Sequence, residues 1–119
     1  ETLITFKANE EDLERLLGNL LENAVKYTPP AGKVHLALGS NEKGIHLTVS
    51  DTGIGIPPEA LPRIFEEFYR AKNAKEMGKE GTGLGLSLVK HIVDRYRGKV
   101  EVESRINEGT TFAVTLPKE

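Results

Sequence analysis

Two glycine-rich turns limit what this chain can fold into more than any other feature. The first, Asp51-Thr52-Gly53-Ile54-Gly55-Ile56-Pro57, continues directly from a strand-like run. The second, Gly81-Thr82-Gly83-Leu84-Gly85-Leu86-Ser87, leads into a helix-like run about thirty residues later. Each turn must therefore sit at the junction of regular elements, with its backbone open to close approach.

The flanking segments supply such elements. Leu3-Ile4-Thr5-Phe6-Lys7 alternates as a short strand. Asn9 offers a helix N-cap, with Glu10, Glu11 and Asp12 in the favourable first turn. Leu13, Leu16, Leu17, Leu20, Leu21, Ala24 and Val25 then follow helical spacing until Thr28-Pro29-Pro30 stops them. Runs 34–38 and 45–49 predict a hairpin joined by a longer loop at 40–44. Short helical pieces are expected at 57–59 and 61–68. Residues 71–80 lack periodicity and read as a mobile charged loop. A third helix is expected from Leu84 to Tyr96, buried through Leu88, Val89, Ile92, Val93 and Tyr96 and ended by Gly98. Alternating runs at 100–104 and 111–116 close the chain. The expected fold class is α+β: a two-layer α/β sandwich, with a mixed sheet covered on one face by three helices.

Length and composition fit one domain spanning residues 1–119 with its own core. The net charge of −2 provides no basic field for nucleic acid or an anionic membrane. The absence of cysteine excludes disulfides, thiolate metal sites and a cysteine nucleophile. No apolar run reaches membrane-span length and no signal peptide is recognised. The start at Glu1-Thr2-Leu3 reads as a fragment boundary.

The polar residues suggest a nucleotide. At a strand end, Asp51 could accept a hydrogen bond from the exocyclic amino group of adenine, whereas guanine offers a carbonyl there. Gly53 and Gly55 would let the base ring approach the backbone. Gly81, Gly83 and Gly85 before a helix could cradle an anion. Asn19, Asn23 and Lys26 form a polar stripe at i, i+4, i+7 beside the leucine face. An amide oxygen suits Mg²⁺, which prefers few protein ligands plus phosphate and water. Taken one at a time, a tight turn, a flexible hinge and a solvated helix face would look the same. Neither a Gly-Lys-Ser/Thr phosphate loop nor a strand just before the second turn is present, so the commoner nucleotide folds are excluded.

Five motifs in order carry a family resemblance: Asn19-Leu-Leu-Glu-Asn23-Ala-Val-Lys26-Tyr27-Thr28, Asp51-x-Gly53-x-Gly55, Phe65-Glu-Glu-Phe68-Tyr69-Arg70, Gly81-x-Gly83-x-Gly85 and Gly109-Thr110-Thr111-Phe112. Over nearly the whole chain the sequence resembles the catalytic, ATP-binding domain of sensor histidine kinases, within the superfamily of DNA gyrase B, heat-shock chaperones and mismatch-repair ATPases. The resemblance implies a Bergerat-type sandwich, with ATP and Mg²⁺ as cofactors. It implies Asn23 as the metal ligand, with Asn19 beside it. Lys26 and Tyr27 would contact phosphate or ribose. Asp51 would bind the adenine amino group, helped by Gly55 and, through water, Thr111. Gly53 and Ile56 complete that turn. Arg70 would approach the terminal phosphate, so Asn19, Lys26 and Arg70 are the candidate catalytic residues. Residues 71–80 would form a lid, with Gly81, Thr82, Gly83, Leu84, Gly85 and Leu86 as its hinge and phosphate cradle.

The same resemblance implies what this chain does not supply. The ATP-hydrolysing relatives carry a water-activating glutamate four residues before the metal asparagine. Asn19 stands there and cannot act as a base. His35, His46 and His91 lack the context of a phosphoacceptor and read as structural or surface residues. The expected partners are therefore ATP, a histidine-bearing dimerisation domain of the same kinase and, indirectly, a response regulator. No nucleic acid or direct membrane contact is expected. The fragment should be a monomeric cytoplasmic domain, whether or not its parent protein is anchored in the inner membrane. The implied activity is transfer of the γ-phosphate to the partner's histidine. A module that binds nucleotide without transferring phosphate is the alternative.

Overall fold

The first helix begins where an amide oxygen can cap it. The computed structural model describes residues 9–77 and 84–117, and there Asn9 Oδ1 accepts from the backbone N–H groups of Glu11 (2.8 Å) and Asp12 (3.3 Å). Helix α1 spans Glu10–Lys26, buries Leu16, Leu20 and Ala24, and stops before Pro29. The strand expected at 3–7 lies outside the described residues.

Strands β1 (Val34–Asn41), β2 (Gly44–Asp51), β3 (Lys99–Arg105) and β4 (Gly109–Pro117) form one sheet in the order β1-β2-β4-β3. Every pairing among these described strands is antiparallel, where a mixed sheet was expected. The α+β sandwich itself is as anticipated. The β1–β2 hairpin is tighter than its sequence suggested. Asn41 pairs with Gly44, leaving a two-residue turn, and Asn41 Oδ1 accepts from Lys43 N at 2.8 Å. Side chain and glycine together replace the anticipated loop.

Leu47 and Val49 of β2 and Phe112, Val114 and Leu116 of β4 turn toward the helices and form the core with α1 and helix α3 (Gly85–Arg95). Val89, Ile92 and Val93 are the buried face of α3, and Leu88 and Tyr96 are half-buried. The left-handed residue that ends α3 is Arg97 (φ 57°), and Gly98 follows it. Gly98 N–H reaches back to Val93 O and Arg97 N–H to Asp94 O, a Schellman closure. Glycine is needed at 98 for a different reason from the one expected: a Cβ there would lie 2.4 Å from Thr115 O.

A polar clamp joins the two long helices. Asp12 accepts from Arg95 Nη1 at 2.8 and 2.9 Å and from the Tyr96 hydroxyl at 2.7 Å, while Asn9 N–H donates to that hydroxyl oxygen at 2.9 Å. The Tyr96 hydrogen bond, reinforced by Arg95, holds the Asp12 carboxyl below its ordinary 3.8 against the opposing effect of burial.

The segment between sheet and α3 departs furthest from expectation. Instead of helical pieces at 57–59 and 61–68, one 3-10 turn, Leu61–Arg63, is followed by successive tight turns. Pro62 lacks a donor and restricts Leu61. Three amides bond three residues back: Arg63 to Ala60, Glu66 to Arg63 and Tyr69 to Glu66. Phe65 meets Phe112 edge-on at 6.3 Å. The first part of the expected loop is a helix, α2 (Lys72–Glu76), anchored by buried Ala71 and half-buried Ala74. Residues 78–83, which include Gly81, Thr82 and Gly83, lie outside the described residues.

Candidate nucleotide-binding site

Helical periodicity builds one wall of a cleft. Asn19, Glu22, Asn23 and Lys26 recur on a single stripe of α1, turned about a quarter-turn from its leucine face, and all four line a cavity of about 310 Å³. That volume lies at the low end for small-molecule sites. The same cavity is lined by Asp51 at the end of β2 and by Ile54, Gly55 and Ile56 of the first glycine turn. Ile64, Tyr69, Ala71 and Ala74 make an apolar side, Arg70 is beside them, and Gly85 and Leu86 bring in the start of α3. Thr110 of β4 completes the lining.

The first glycine turn is pinned at several points. Tyr27, just past α1, accepts from Ile54 N–H at 3.1 Å. Ile54 O accepts from Asn107 N–H at 2.8 Å, and Gly55 O accepts from Asn73 Nδ2 at 2.9 Å. The glycines serve the protein's own packing more than an incoming ring. A Cβ on Gly53 would stand 2.5 Å from Tyr27 O and 2.8 Å from Asp51 Oδ1. On Gly55, at φ +75°, it would stand 2.1 Å from Arg105 O. Gly53 is buried behind the cleft, whereas Gly55 lines it.

Asp51 is half-buried. Desolvation pushes its carboxyl above the ordinary 3.8, and hydrogen bonds from the amides of Gly53 and Thr110 oppose that shift. The Gly53 bond is 2.8 Å. A carboxylate so held keeps acceptor capacity to spare. Lys26 Nζ lies 5.3 Å from the centroid of the Tyr27 ring, placing a cation and an aromatic face together at the cleft. Asn19 Nδ2 donates to Arg15 O at 2.7 Å, and its Oδ1 lies 3.1 Å from where a Cβ on Gly85 would be. Asn19 therefore packs close against the start of α3.

Of the expected site residues, Asn19, Asn23, Lys26, Tyr27, Asp51, Gly55, Ile56, Arg70, Gly85 and Leu86 meet in this cleft. Leu84 lies at its edge, exposed. Thr111 does not join them. Side chains alternate along β4, and Thr111 points to the opposite face, where its hydroxyl meets Ser50 Oγ at 3.0 Å. Its neighbour Thr110 occupies the row beside Asp51. That position was recoverable from the sequence, because Thr110 shares the parity of the apolar Phe112, Val114 and Leu116. The sequence reading also missed Glu22, Ile54, Ile64 and Tyr69 in the lining. His35 and His91 are exposed, and His46 places Nδ1 3.3 Å from the Thr115 hydroxyl on the open sheet face. None of the three lines the cleft. Among the described residues, no group of three or more His, Asp or Glu side chains could hold a metal by itself. No described helix is long and apolar enough to cross a membrane.

Known proteins are similar to this chain in sequence and architecture. Residues 8–119 match the family model described as histidine kinase-, DNA gyrase B-, and HSP90-like ATPase. The chain is 43% identical over 109 residues to the phosphate regulon sensor protein PhoR of Pseudomonas aeruginosa, a match covering 92% of this chain and 25% of that protein. It is 41% identical over 106 residues to the sensor protein SrrB of Staphylococcus aureus, covering 89% and 18%. The chain thus spans a quarter or less of the length of these relatives. A mycobacterial sensor histidine kinase, MprB, superposes with a TM-score of 0.85 at 32% identity, covering 96% of this chain and 77% of that one. Full-length ShkA in complex with AMPPNP gives 0.81 at 35% identity, covering 98% and 23%. The sheet order, the cleft between α1 and the glycine turn, and matches over nearly the whole chain lead to one conclusion: this chain belongs to the histidine kinase-, DNA gyrase B- and HSP90-like ATPase family, with sensor histidine kinases among its relatives.

Proposed function

We propose that this domain binds ATP with Mg²⁺ and donates the γ-phosphoryl group to a histidine on a separate dimerisation domain, in two-component signalling. The observation that carries this reading is the convergence of Asp51 and the Asn19–Asn23–Lys26 stripe on one cleft with apolar lining. The donor set fits the ligand. Asp51 supplies an acceptor for an amino-purine, and Ile54, Ile56, Ile64 and Ala74 supply an apolar bed for its ring. Asn23 offers one neutral, hard oxygen, which suits a metal that also uses phosphate and water. When bound, Mg²⁺ would neutralise phosphate charge and orient the terminal group.

The residues of this chain would then act by positioning and charge. Lys26 and Arg70 would hold phosphate oxygens, Tyr27 would flank the ribose or phosphates, and Leu84, Gly85 and Leu86 would present the start of α3 to the anion. Asn19 cannot take a proton from water, and its amide is engaged with Arg15 O. Water is therefore a poor acceptor, and a P–N bond to a partner's imidazole would form as the P–O bond to ADP breaks. Gly81, Thr82 and Gly83 are proposed to complete the phosphate side. A response regulator would receive the phosphoryl group from that histidine, in the cytoplasm.

Calorimetry with ATP and GTP, with and without Mg²⁺, followed by incubation with labelled ATP and a histidine-bearing dimerisation domain, tests this. Tighter ATP binding and acid-labile label on the partner's histidine are expected. Equal affinity for both nucleotides would refute the base assignment. Binding without transfer would leave a regulatory module.

A further inference from the structure

Across the sheet, Asp51 of β2, Thr110 of β4 and Ser104 of β3 stand in one row: Thr110 pairs with Asp51 on one side and with Ser104 on the other. Ser104 Oγ has three polar neighbours. Ile56 N–H donates to it at 2.7 Å, Gly109 O lies at 3.0 Å, and Thr110 Oγ1 lies at 2.8 Å. A serine hydroxyl has one proton and two lone pairs. Gly109 O can only accept, so the proton of Ser104 belongs to it. Were that proton turned to Thr110 instead, two acceptor oxygens would face each other at 3.0 Å with nothing between them. Thr110 must then be the donor in its contact with Ser104.

From this polarity we infer that Ser104 is a specificity-setting positioning residue: it draws the Thr110 hydroxyl proton away from the cleft and leaves that oxygen as an acceptor beside the Asp51 carboxylate. Thr110 is buried and lines the cleft, so its free lone pairs belong to the ligand side. Asp51 and Thr110 together form an acceptor-only wall. An adenine amino group satisfies such a wall, whereas a guanine carbonyl offers it no proton. Without Ser104, the Thr110 hydroxyl could rotate and donate to that carbonyl. Ser104 also accepts from Ile56 N–H, so the first glycine turn is built onto the same hub. The inference rests on the adenine-nucleotide reading above and deepens it.

A double-mutant cycle isolates the effect. ADP and GDP affinities are measured for the wild type, Ser104→Ala, Thr110→Val and the double variant. One neutral hydrogen bond is worth about 0.5–1.5 kcal/mol, so Ser104→Ala should narrow the ADP-over-GDP ratio by roughly 2- to 10-fold. In the Thr110→Val background, Ser104→Ala should leave the ratio unchanged. An equal loss for both nucleotides, or the same narrowing without the threonine hydroxyl, overturns the inference. A neutron structure of the ligand-free wild type gives a second readout that needs neither variant to fold. The Thr110 deuteron should lie on the line to Ser104 Oγ; a deuteron aimed into the cleft refutes the assignment. A wild type that binds neither nucleotide would sink the adenine reading, while the deuteron would still decide the polarity on its own.

Discussion

Gly55→Ala tests whether the first glycine turn is shaped by the protein itself. Gly55 adopts φ +75°, and an added Cβ would lie 2.1 Å from Arg105 O, 2.6 Å from Arg105 C and 2.9 Å from Ile106 Cα. These are backbone atoms, so no rotamer change relieves the contact. The left-handed conformation costs a non-glycine residue about 1–2 kcal/mol. Forcing a methyl group into a packed region adds about 1–3 kcal/mol. The expected destabilisation is therefore about 2–5 kcal/mol. With a urea slope near 2 kcal/mol/M, the midpoint should fall by roughly 1–2.5 M. Nucleotide affinity should fall as well, because Gly55 O holds Asn73 and Ile54 O holds Asn107. Gly18→Ala is the matched control. It lies within α1, is exposed, and has nothing within 4 Å of its added Cβ. There alanine should stabilise by about 0.5–1 kcal/mol through helix propensity. If the two variants shifted the midpoint alike, the packing argument for the turn would be refuted.

Asp12→Asn should weaken the clamp between α1 and α3. Because the Asp12 carboxyl is held below 3.8, its contribution is complete above that value and is lost as pH falls through the lowered one. Stability curves of wild type and variant should converge in acid; a gap unchanged from neutral pH downward would contradict the assignment. Asn23→Ala should weaken Mg²⁺-dependent nucleotide binding by about 10- to 100-fold, the worth of a charge-assisted contact. Metal-free binding and the circular dichroism spectrum should change little. An unfolded variant would show Asn23 to be structural.

What the sequence made legible was local. The periods of α1 and α3, and the alternation in β2 and β4, follow from which side chains avoid water. The Asn19–Lys26 stripe and Asp51 followed from the same patterns. The illegible parts depend on distant partners. Nothing near Gly53 announces the carbonyl of Tyr27, and nothing near Gly55 announces Arg105. Asp12 looked like a dipole acid until Arg95 and Tyr96 came against it. Helix α2 is too short for a periodic signal, and among the described residues its apolar anchors are two small side chains, Ala71 and Ala74. Thr110 and Thr111 stand in the same motif, and strand parity alone separates them: Thr110 shares the inward face of Phe112, Val114 and Leu116.

That parity has a further consequence for how faithfully the cleft is assembled. Two threonines stand side by side at 110 and 111, so a one-residue slip of β4 would still offer Asp51 a hydroxyl. It would also drive Thr111, Ala113 and Thr115 inward and expel Phe112, Val114 and Leu116, all now 2% exposed or less. Exposing three such side chains costs about 1.5–3 kcal/mol each. The total rivals the whole stability of a typical domain, about 5–15 kcal/mol. The apolar half of the strand thus proofreads its polar tip: the slipped register is held to a very small population. A substitution at Phe112 or Val114 that relaxed this check would loosen the placement of Thr110 beside Asp51 without touching any group that lines the cleft.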